Sequence, residues 1–459
     1  MYETQSIYEK VILFIKILLP ILVTQVGLYM MNFFDTVMAG RAGADDLAGV
    51  AIGSSIWVPV LTGVTGILMA IPPIVSQLLG ANAQDKITHV VRQGVYLSIA
   101  IAIVIFIIGI VVLTPILEAL SLEPEVRRIA KYYLVSLGVG MVPLFVFNLL
   151  RSFIDALGQT KISMLIILLA LPLNVFFNYI FIFGNFGVPS YGGIGAGIAS
   201  AVTYFILSLI TIVLIQKLAP FKGYIIFNQW EKTDFKAWKE QLKIGIPIGF
   251  TIFFETSIFA AVTLLISVYD TETIAAHQSA INFATLFYML PLAIAMALTI
   301  AVGFEVGAKR FREATTYTKI GISSGILLAL FSGILIFLFR ENVASLYSND
   351  PKVNSLMQHF LIYAIFYQLS DGIGTPIQGV LRGYKDVNAT SFIALVSFWV
   401  IGLPTGYITA NFTALGPYGY WVGLISGLGF GAIALSIRLK MITKRTHRAG
   451  AEHISSIGE

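Results

Sequence analysis

The sequence contains no cysteine and few charged residues. Without Cys among its 459 residues, the chain can form no disulfide framework, thiolate metal site or catalytic thiol. Only 12% of the residues are charged, which is about half of the roughly 25% that is typical of soluble proteins. The chain also lacks an HExxH motif, a Walker A motif and a polar stretch long enough for a separate soluble domain. These absences argue against a soluble enzyme.

Long apolar runs fill the chain instead. Hydrophobic residues make up 57% of it, and the mean hydropathy is +0.86. Apolar runs of about 20 residues or more recur throughout, and each can cross a bilayer as a helix. The first run follows a segment of mixed charge and is predicted to be a membrane helix rather than a cleaved signal. Twelve spans are predicted, with approximate limits 11–38, 47–79, 88–115, 128–156, 162–185, 193–217, 243–268, 274–306, 314–339, 354–381, 387–411 and 418–440.

The basic residues predict how these spans are oriented. If both termini are cytoplasmic, all but six of the 29 Lys and Arg residues fall on the cytoplasmic side. This distribution follows the positive-inside rule and predicts a multi-pass protein of the plasma membrane. The net charge of +5 therefore reflects cytoplasmic loops and a basic tail at 442–459, and no nucleic-acid partner is expected.

An internal repeat predicts the architecture. The segment KILLPI at 16–21 resembles KIGIPI at 243–248, and Gly80-Ala81 matches Gly307-Ala308 at the same offset. Such matches, in order along the chain, indicate two homologous halves that enter the membrane in the same direction. The predicted fold is an all-α polytopic membrane protein with twelve transmembrane helices in two six-helix lobes related by a parallel pseudo-twofold. The predicted boundaries are 1–218 for the first lobe, 219–242 for a cytoplasmic linker with a short amphipathic surface helix, 243–441 for the second lobe and 442–459 for the tail.

Three carboxylates lie well inside apolar segments. They are Asp35, Glu255 and Asp371. Burying a charge in a membrane is costly, so such residues are functional candidates by default. No basic residue of the spans is placed to neutralise them, which predicts a mobile partner: a proton, a metal cation or an organic cation. Two further acids, Asp155 and Glu305, lie near cytoplasmic span ends and are interpreted as interfacial.

Other polar residues accompany the three acids. Asn174 and Asn178 are four apart and so share one helix face, and Tyr367 and Asp371 share another. Carboxylates with a phenol form a hard, all-oxygen site that suits an alkali cation such as Na⁺, or a proton. Helix–helix packing is an equal alternative for the asparagines. Aromatic residues near the acids could attract organic cations, and they are Phe33, Phe34, Phe253, Phe254, Tyr288 and Tyr367.

These stretches resemble the multidrug and toxic compound extrusion (MATE) transporters, particularly their NorM-like branch. The resemblance is carried by MNFFDTVMAG, DDLAGVAIG, PLNVFFNYIFIFG, FFETSIFAAV, YQLSDGIGTPIQGVLRGYKD and ALGPYGYWVGL, and it covers nearly the whole chain. It implies a secondary antiporter whose two lobes form a V around a central cavity. Organic cations and amphipathic drugs would leave while Na⁺ or H⁺ enters.

The resemblance also implies roles for individual residues. Glu255 and Asp371, with Tyr367, would form the coupling-cation site, where Na⁺ could bind. Asp35, with Asn174 and Asn178, would form a site that responds to protons or drugs, and Tyr288 would be an aromatic residue of the cavity. No cofactor is implied, and the protein is expected to act as a monomer. The sequence leaves the choice between Na⁺ and H⁺ open.

Other functions are weighed against this one. A flippase of related fold for lipid-linked precursors is expected to line its cavity with arginines, whereas these spans hold acids. A major-facilitator transporter also has six plus six spans, but its glycine-rich loop signature is absent. A membrane-embedded enzyme needs a metal-ligand or nucleophile constellation, and none is found. A channel needs no acids divided between two lobes.

Overall fold

The first half of the chain forms eight helices. A computed structural model describes residues 3–120 and 122–455. Within these ranges the first eight helices are α1 (Ile7–Ala42), α2 (Ala44–Leu68), α3 (Ile71–Gly80), α4 (Gln84–Ala119), α5 (Pro124–Val139), α6 (Met141–Ala156), α7 (Thr160–Phe183) and α8 (Gly193–Lys217). Helices α2 and α3 are separated only by Met69 and Ala70 and together make one span. Helices α5 and α6 meet at an angle of 50° at Gly140.

The second half forms seven helices and a π-helical segment. They are α9 (Phe235–Ile266), α10 (Thr271–Gly307), α11 (Phe311–Tyr347), α12 (Pro351–Gly383), α13 (Val387–Leu395), α14 (Leu403–Phe412) and α15 (Tyr418–Ser455). The π-helical segment, Val396–Gly402, joins α13 to α14 within one span. Its Trp399 donates a hydrogen bond from the indole to Ser257 of α9 at 3.3 Å.

The helical, polytopic fold predicted from the sequence is confirmed. Among the described residues no β-strand occurs. Ten segments are long and apolar enough to cross a membrane, and the bent α5–α6 pair makes an eleventh. The remaining predicted span corresponds to α12, which is 33 residues long and has polar residues distributed along its length. Its polar residues prove to be those of the candidate site.

Two compact units divide the chain. One contains Leu19–Leu79 and Ala83–Gly249, and we call it the first unit. The other, the second unit, contains the described residues within Met1–Leu18, Gly80–Asn82 and Phe250–Glu459. The chain thus passes from one unit to the other inside helices α1 and α9. Hydropathy locates spans but says nothing about their neighbours, so this feature has no counterpart in the sequence analysis.

The linker belongs to the first unit and is partly buried there. Phe221 and Ile226 are almost fully buried and join the apolar core of that unit. The only helical turn between α8 and α9 is a 3₁₀ turn at Ala219–Phe221. The predicted surface helix is not separate, since α9 begins at Phe235 and continues into the membrane span.

Polar side chains of α4 hold the linker in place. The buried Arg92 donates from Nε to the carbonyl of Ile226 at 2.8 Å, and its other nitrogens contact the carbonyl of Ile225 and the carboxylate of Glu231. Gln93 accepts a hydrogen bond from the backbone N–H of Asp234 at 2.9 Å. These contacts fix the path of the linker up to the start of α9.

Asp234 begins helix α9 and closes this network. Its carboxylate accepts hydrogen bonds from the backbone N–H groups of Ala237 and Lys236 and contacts His89 at 3.2 Å. These donors, with Ala237 foremost, lower the pKa of Asp234 below its ordinary value. A carboxylate bonded to N–H groups at a helix N-terminus also interacts favourably with the helix dipole.

Candidate functional site

One face of helix α12 carries a continuous row of buried polar side chains. They follow the helical repeat, so they project on the same side, and each is at most 7% exposed. The row consists of Tyr367, Asp371, Thr375, Gln378 and Arg382. The helix begins cleanly, because Pro351 occupies its first position and Asp350 caps it by accepting from the N–H groups of Lys352 and Val353. The shared face predicted for Tyr367 and Asp371 therefore extends for three more residues.

Asp371 has one satisfied and one open oxygen. Its Oδ1 accepts a hydrogen bond from the hydroxyl of Thr375 at 2.6 Å. Its Oδ2 is buried and has no hydrogen-bond partner among the described residues. A buried polar atom without a partner is costly unless a ligand, a proton or water completes it. The second oxygen of Asp371 is thus available to a mobile partner.

Glu255 is linked to a buried arginine through Gln378. The amide of Gln378 donates to Glu255 Oε1 at 2.5 Å, and its carbonyl accepts from Arg382 Nη2 at 3.3 Å. The expectation that no basic residue of the spans would accompany the acids is wrong for Glu255. Arg382 was assigned to a cytoplasmic loop, but α12 continues to Gly383 and buries the guanidinium.

Two tyrosines complete this group of the second unit. Tyr288 of α10 and Tyr367 of α12 both lie close enough to Glu255 and Asp371 to interact with them electrostatically. Phe259 packs edge-on against Tyr367, with ring centroids 5.7 Å apart. The predicted coupling-site residues Glu255, Asp371 and Tyr367 and the predicted cavity residue Tyr288 are therefore neighbours. We refer to them as the Asp371 group.

A close helix contact lies directly beside Asp371. A Cβ atom added at Gly372 would lie 2.5 Å from Cβ of Ala329 and 2.9 Å from the carbonyl oxygen of Gly325, both on α11. Gly372 therefore lets α11 and α12 approach closely, as small residues commonly do where membrane helices pack. At Gly374 an added Cβ would meet only ordinary contacts, the nearest at 3.8 Å.

We expect Gly372→Ala to destabilise the protein, and Gly374→Ala is the matched control. Overpacking costs about 1–3 kcal/mol, which exceeds the gain of about 0.5–1 kcal/mol from replacing glycine in a helix. Thermal unfolding in detergent should therefore show a lower midpoint for Gly372→Ala and an unchanged or higher midpoint for Gly374→Ala. Equal midpoints for the two variants would contradict the close contact.

The first unit contains a second polar group around Asp35. Asn178 donates to Asp35 Oδ1 at 2.6 Å, and Ser200 of α8 donates to Oδ2 at 2.9 Å. The side-chain amide of Asn178 also donates to Oδ1 of Asn174 at 3.2 Å. Sequence reasoning identified Asp35, Asn174 and Asn178 but missed Ser200. We refer to these four residues as the Asp35 group.

The Asp35 group is also incompletely satisfied. Asn174 Nδ2 and Asn178 Oδ1 are buried and have no hydrogen-bond partner among the described residues. Tyr133 and Tyr204 lie within electrostatic range of Asp35, and no Lys, Arg or His of the described chain forms an ion pair with it. The group thus combines an uncompensated carboxylate with one free donor and one free acceptor.

The remaining buried ionisable residues have other surroundings. Glu305 pairs with Arg310 at 2.6 Å, in agreement with its interpretation as a residue of the span end. Asp155 and Arg151 are both buried on α6, and no ion pair within 4 Å joins them in the described chain. His277 accepts from the indole of Trp421 at 3.1 Å and contacts Thr263 at 3.2 Å, so it is held within a packed aromatic cluster.

Comparison with known proteins adds family relationships to this geometry. The MatE family model matches residues 20–180 and 247–408. A protein of Oceanobacillus iheyensis named "Probable multidrug resistance protein NorM" is 58% identical over 97% of this chain and 100% of its own length. The protein of the same name from Bacillus subtilis is 55% identical over 97% of this chain and 98% of its own length.

Solved structures share the fold at low sequence identity. The crystal structure of the eukaryotic MATE transporter AtDTX14 has a TM-score of 0.86 at 18% identity, covering 98% of this chain and 100% of that one. A structure described as "Crystal structure of MATE in the bent conformation" has a TM-score of 0.88 at 18% identity, with 98% and 100% covered. At these identities the likeness establishes the fold of this chain.

Proposed function

This chain belongs to the MatE family of multi-pass membrane transporters, and from that premise we propose that it is a multidrug efflux antiporter. It exports organic cations and amphipathic toxic compounds and takes up Na⁺ or H⁺ in exchange. It is a secondary transporter rather than an enzyme. The names of its relatives, at more than half identity over nearly their whole length, support multidrug efflux.

One observation carries the proposed coupling site. The open, buried Oδ2 of Asp371 is a place where a proton or a Na⁺ ion would replace a missing hydrogen-bond partner. Glu255 lies in the same group as Asp371, and the phenols of Tyr288 and Tyr367 are within electrostatic range of both acids, so the ligands on offer are oxygen atoms, which suit both H⁺ and Na⁺. Binding of either cation removes charge from a low-dielectric environment and thereby lowers the cost of burying Asp371.

Antiport then follows from a difference in affinity between two states. A ligand can shift a conformational equilibrium only by as much as its affinities for the two states differ. The coupling cation favours the state in which the Asp371 group is most buried, and the organic cation favours the other state. The Asp35 group supplies an anionic, partly unsatisfied site for protons or for the exported cation.

The proposed setting is the plasma membrane with both termini in the cytoplasm, where the protein acts as a monomer. The distribution of Lys and Arg supports this orientation. The basic residues of the linker and of the end of α15 would then face the anionic cytoplasmic leaflet.

A comparison of two gradients tests the proposal. Purified protein in liposomes loaded with a fluorescent organic cation is given either an inward Na⁺ gradient at equal pH or an inward proton gradient without Na⁺. We expect one of the two gradients to accelerate efflux, and an ionophore that collapses that gradient to abolish the acceleration. Efflux equal to that of protein-free liposomes under both gradients would refute the proposed function.

A further inference from the structure

Arg382 places a permanent positive charge beside the Asp371 group. Its side chain is 5% exposed, and a guanidinium stays protonated at every physiological pH. It reaches Glu255 through one amide, with distances of 3.3 Å from Arg382 to Gln378 and 2.5 Å from Gln378 to Glu255. It also lies within electrostatic range of Glu255 itself.

Gln378 fixes the direction of this link. An amide carbonyl can only accept and an amide NH₂ can only donate. The carbonyl must face the guanidinium, which only donates, and the NH₂ must face the carboxylate, which only accepts when ionised. The reverse orientation would oppose donor to donor and acceptor to acceptor. Gln378 therefore holds Glu255 and Arg382 in a defined arrangement without direct contact between them.

The two acids of the group consequently have different surroundings. Glu255 accepts from an amide that is itself bonded to a cation. Asp371 accepts only from a neutral hydroxyl and keeps one oxygen open. Two carboxylates and one guanidinium leave a single net negative charge. Within the described chain, no Lys, Arg or His forms a direct ion pair with either acid.

We propose that Arg382 is the fixed counter-charge of Glu255, so that the Asp371 group takes up one monovalent cation in each transport cycle and rejects divalent cations. This inference rests on the proposed function of the group as the coupling site. Arg382 acts through Gln378 and Glu255 and is a positioning residue. Together with Arg382, the Asp371 group carries one net negative charge. One Na⁺ or one H⁺ neutralises this charge, whereas Mg²⁺ or Ca²⁺ would leave a buried excess positive charge.

The test measures the number of cations exchanged for each organic cation. Opposing gradients of the coupling cation and of a monovalent organic cation are set in liposomes at imposed membrane potentials, and the condition of zero net flux gives this ratio for the wild type, Arg382→Met and Arg382→Lys. A ratio of one makes this condition independent of the potential. We expect one cation taken up through this group by the wild type and by Arg382→Lys, which keeps the charge. Arg382→Met should need one cation more and should become sensitive to Ca²⁺. An unchanged ratio and no Ca²⁺ sensitivity in Arg382→Met would overturn the inference.

A compensating variant keeps the test decisive if Arg382→Met does not fold. Glu255→Gln alone leaves Arg382 without its acid, and we expect the apparent affinity for the coupling cation to fall by about 5–150-fold, the usual range of such couplings. The double variant Glu255→Gln with Arg382→Met restores one net negative charge and should recover that affinity, which a purely structural role of Arg382 would not do. Failure to recover it, in a double variant that elutes as a single folded species, would also overturn the inference. A wild type that responds to neither gradient would instead refute the proposed function itself.

Discussion

Asp371→Asn is expected to abolish gradient-driven export while leaving the protein folded. Asparagine has the shape of aspartate. Its side-chain carbonyl can still accept from the hydroxyl of Thr375, which lies 2.6 Å from Asp371 Oδ1 in the wild type. The variant removes a buried charge, so the fold loses no ion pair and avoids a desolvation cost. It can no longer bind a proton or Na⁺ at the open oxygen. The coupling free energy of about 1–3 kcal/mol, a factor of about 5–150 in affinity, should disappear.

The measurement is the initial rate of organic-cation efflux with and without the driving gradient. Asp371→Asn should show the same slow rate in both conditions. Glu341→Gln is a matched control, because this acid lies on the exposed surface of α11 in the same half of the chain. It should keep the wild-type response. A gradient response in Asp371→Asn equal to that of the control would place the coupling site elsewhere.

The second large effect is expected for Asp35→Asn. An asparagine here can accept from Asn178 and donate to Ser200, whose hydroxyl can rotate, so the hydrogen bonds of the Asp35 group survive. The negative charge does not, and it is the feature that would attract an organic cation. We therefore expect gradient-driven efflux to fall about as far as in Asp371→Asn.

Binding experiments separate the two variants. Asp35→Asn should lose affinity for the organic cation, but the coupling cation should still raise its thermal unfolding midpoint. Asp371→Asn should keep its affinity for the organic cation, but the coupling cation should no longer raise its midpoint. Ser200→Ala removes one donor to the carboxylate of Asp35, a hydrogen bond worth about 1.5–3 kcal/mol. Its affinity for the organic cation should lie between those of the wild type and Asp35→Asn. The exposed Asp45→Asn on α2 serves as the control. Identical patterns for both acids would contradict separate roles.

The sequence predicted the fold class and the acids for physical reasons. Long apolar runs almost always form membrane helices. A carboxylate within such a run is costly to bury and is therefore easy to recognise as a functional candidate. The four-residue spacings of Asn174–Asn178 and Tyr367–Asp371 correctly predicted shared helix faces, as the contacts of Asn178 and the row on α12 demonstrate. A helix is local, so its faces can be inferred from spacing alone.

The missing residues depend on contacts between helices that are distant in sequence. Nothing in the sequence around Ser200 indicates its contact with Asp35, because the two residues are 165 positions apart and meet only through the packing of α8. Gln378 and Arg382 lie near a span end, where charge usually reaches water, and only the packing around the last turns of α12 reveals that they are buried. The burial of the linker residues Phe221 and Ile226 was not predicted either, because the charged residues around them indicated a surface segment.

The polar face of α12 also has a consequence for how the protein is made. An aspartate at the centre of an inserting helix costs about 2.5–3.5 kcal/mol, and α12 carries Asp371 well inside its length, with a tyrosine and two glutamines on or near the same face and Arg382 in its last turn. Neighbouring helix α10 provides partners: Ala284 accepts from Gln368 at 3.0 Å, and Thr299 donates to the carbonyl of Gly379 at 2.9 Å. Helix α12 would therefore partition poorly into lipid as a single segment. Helices α10 and α11 precede α12 in the chain, so we expect them to receive α12 as it enters the membrane and to cover the polar face that carries the candidate coupling site.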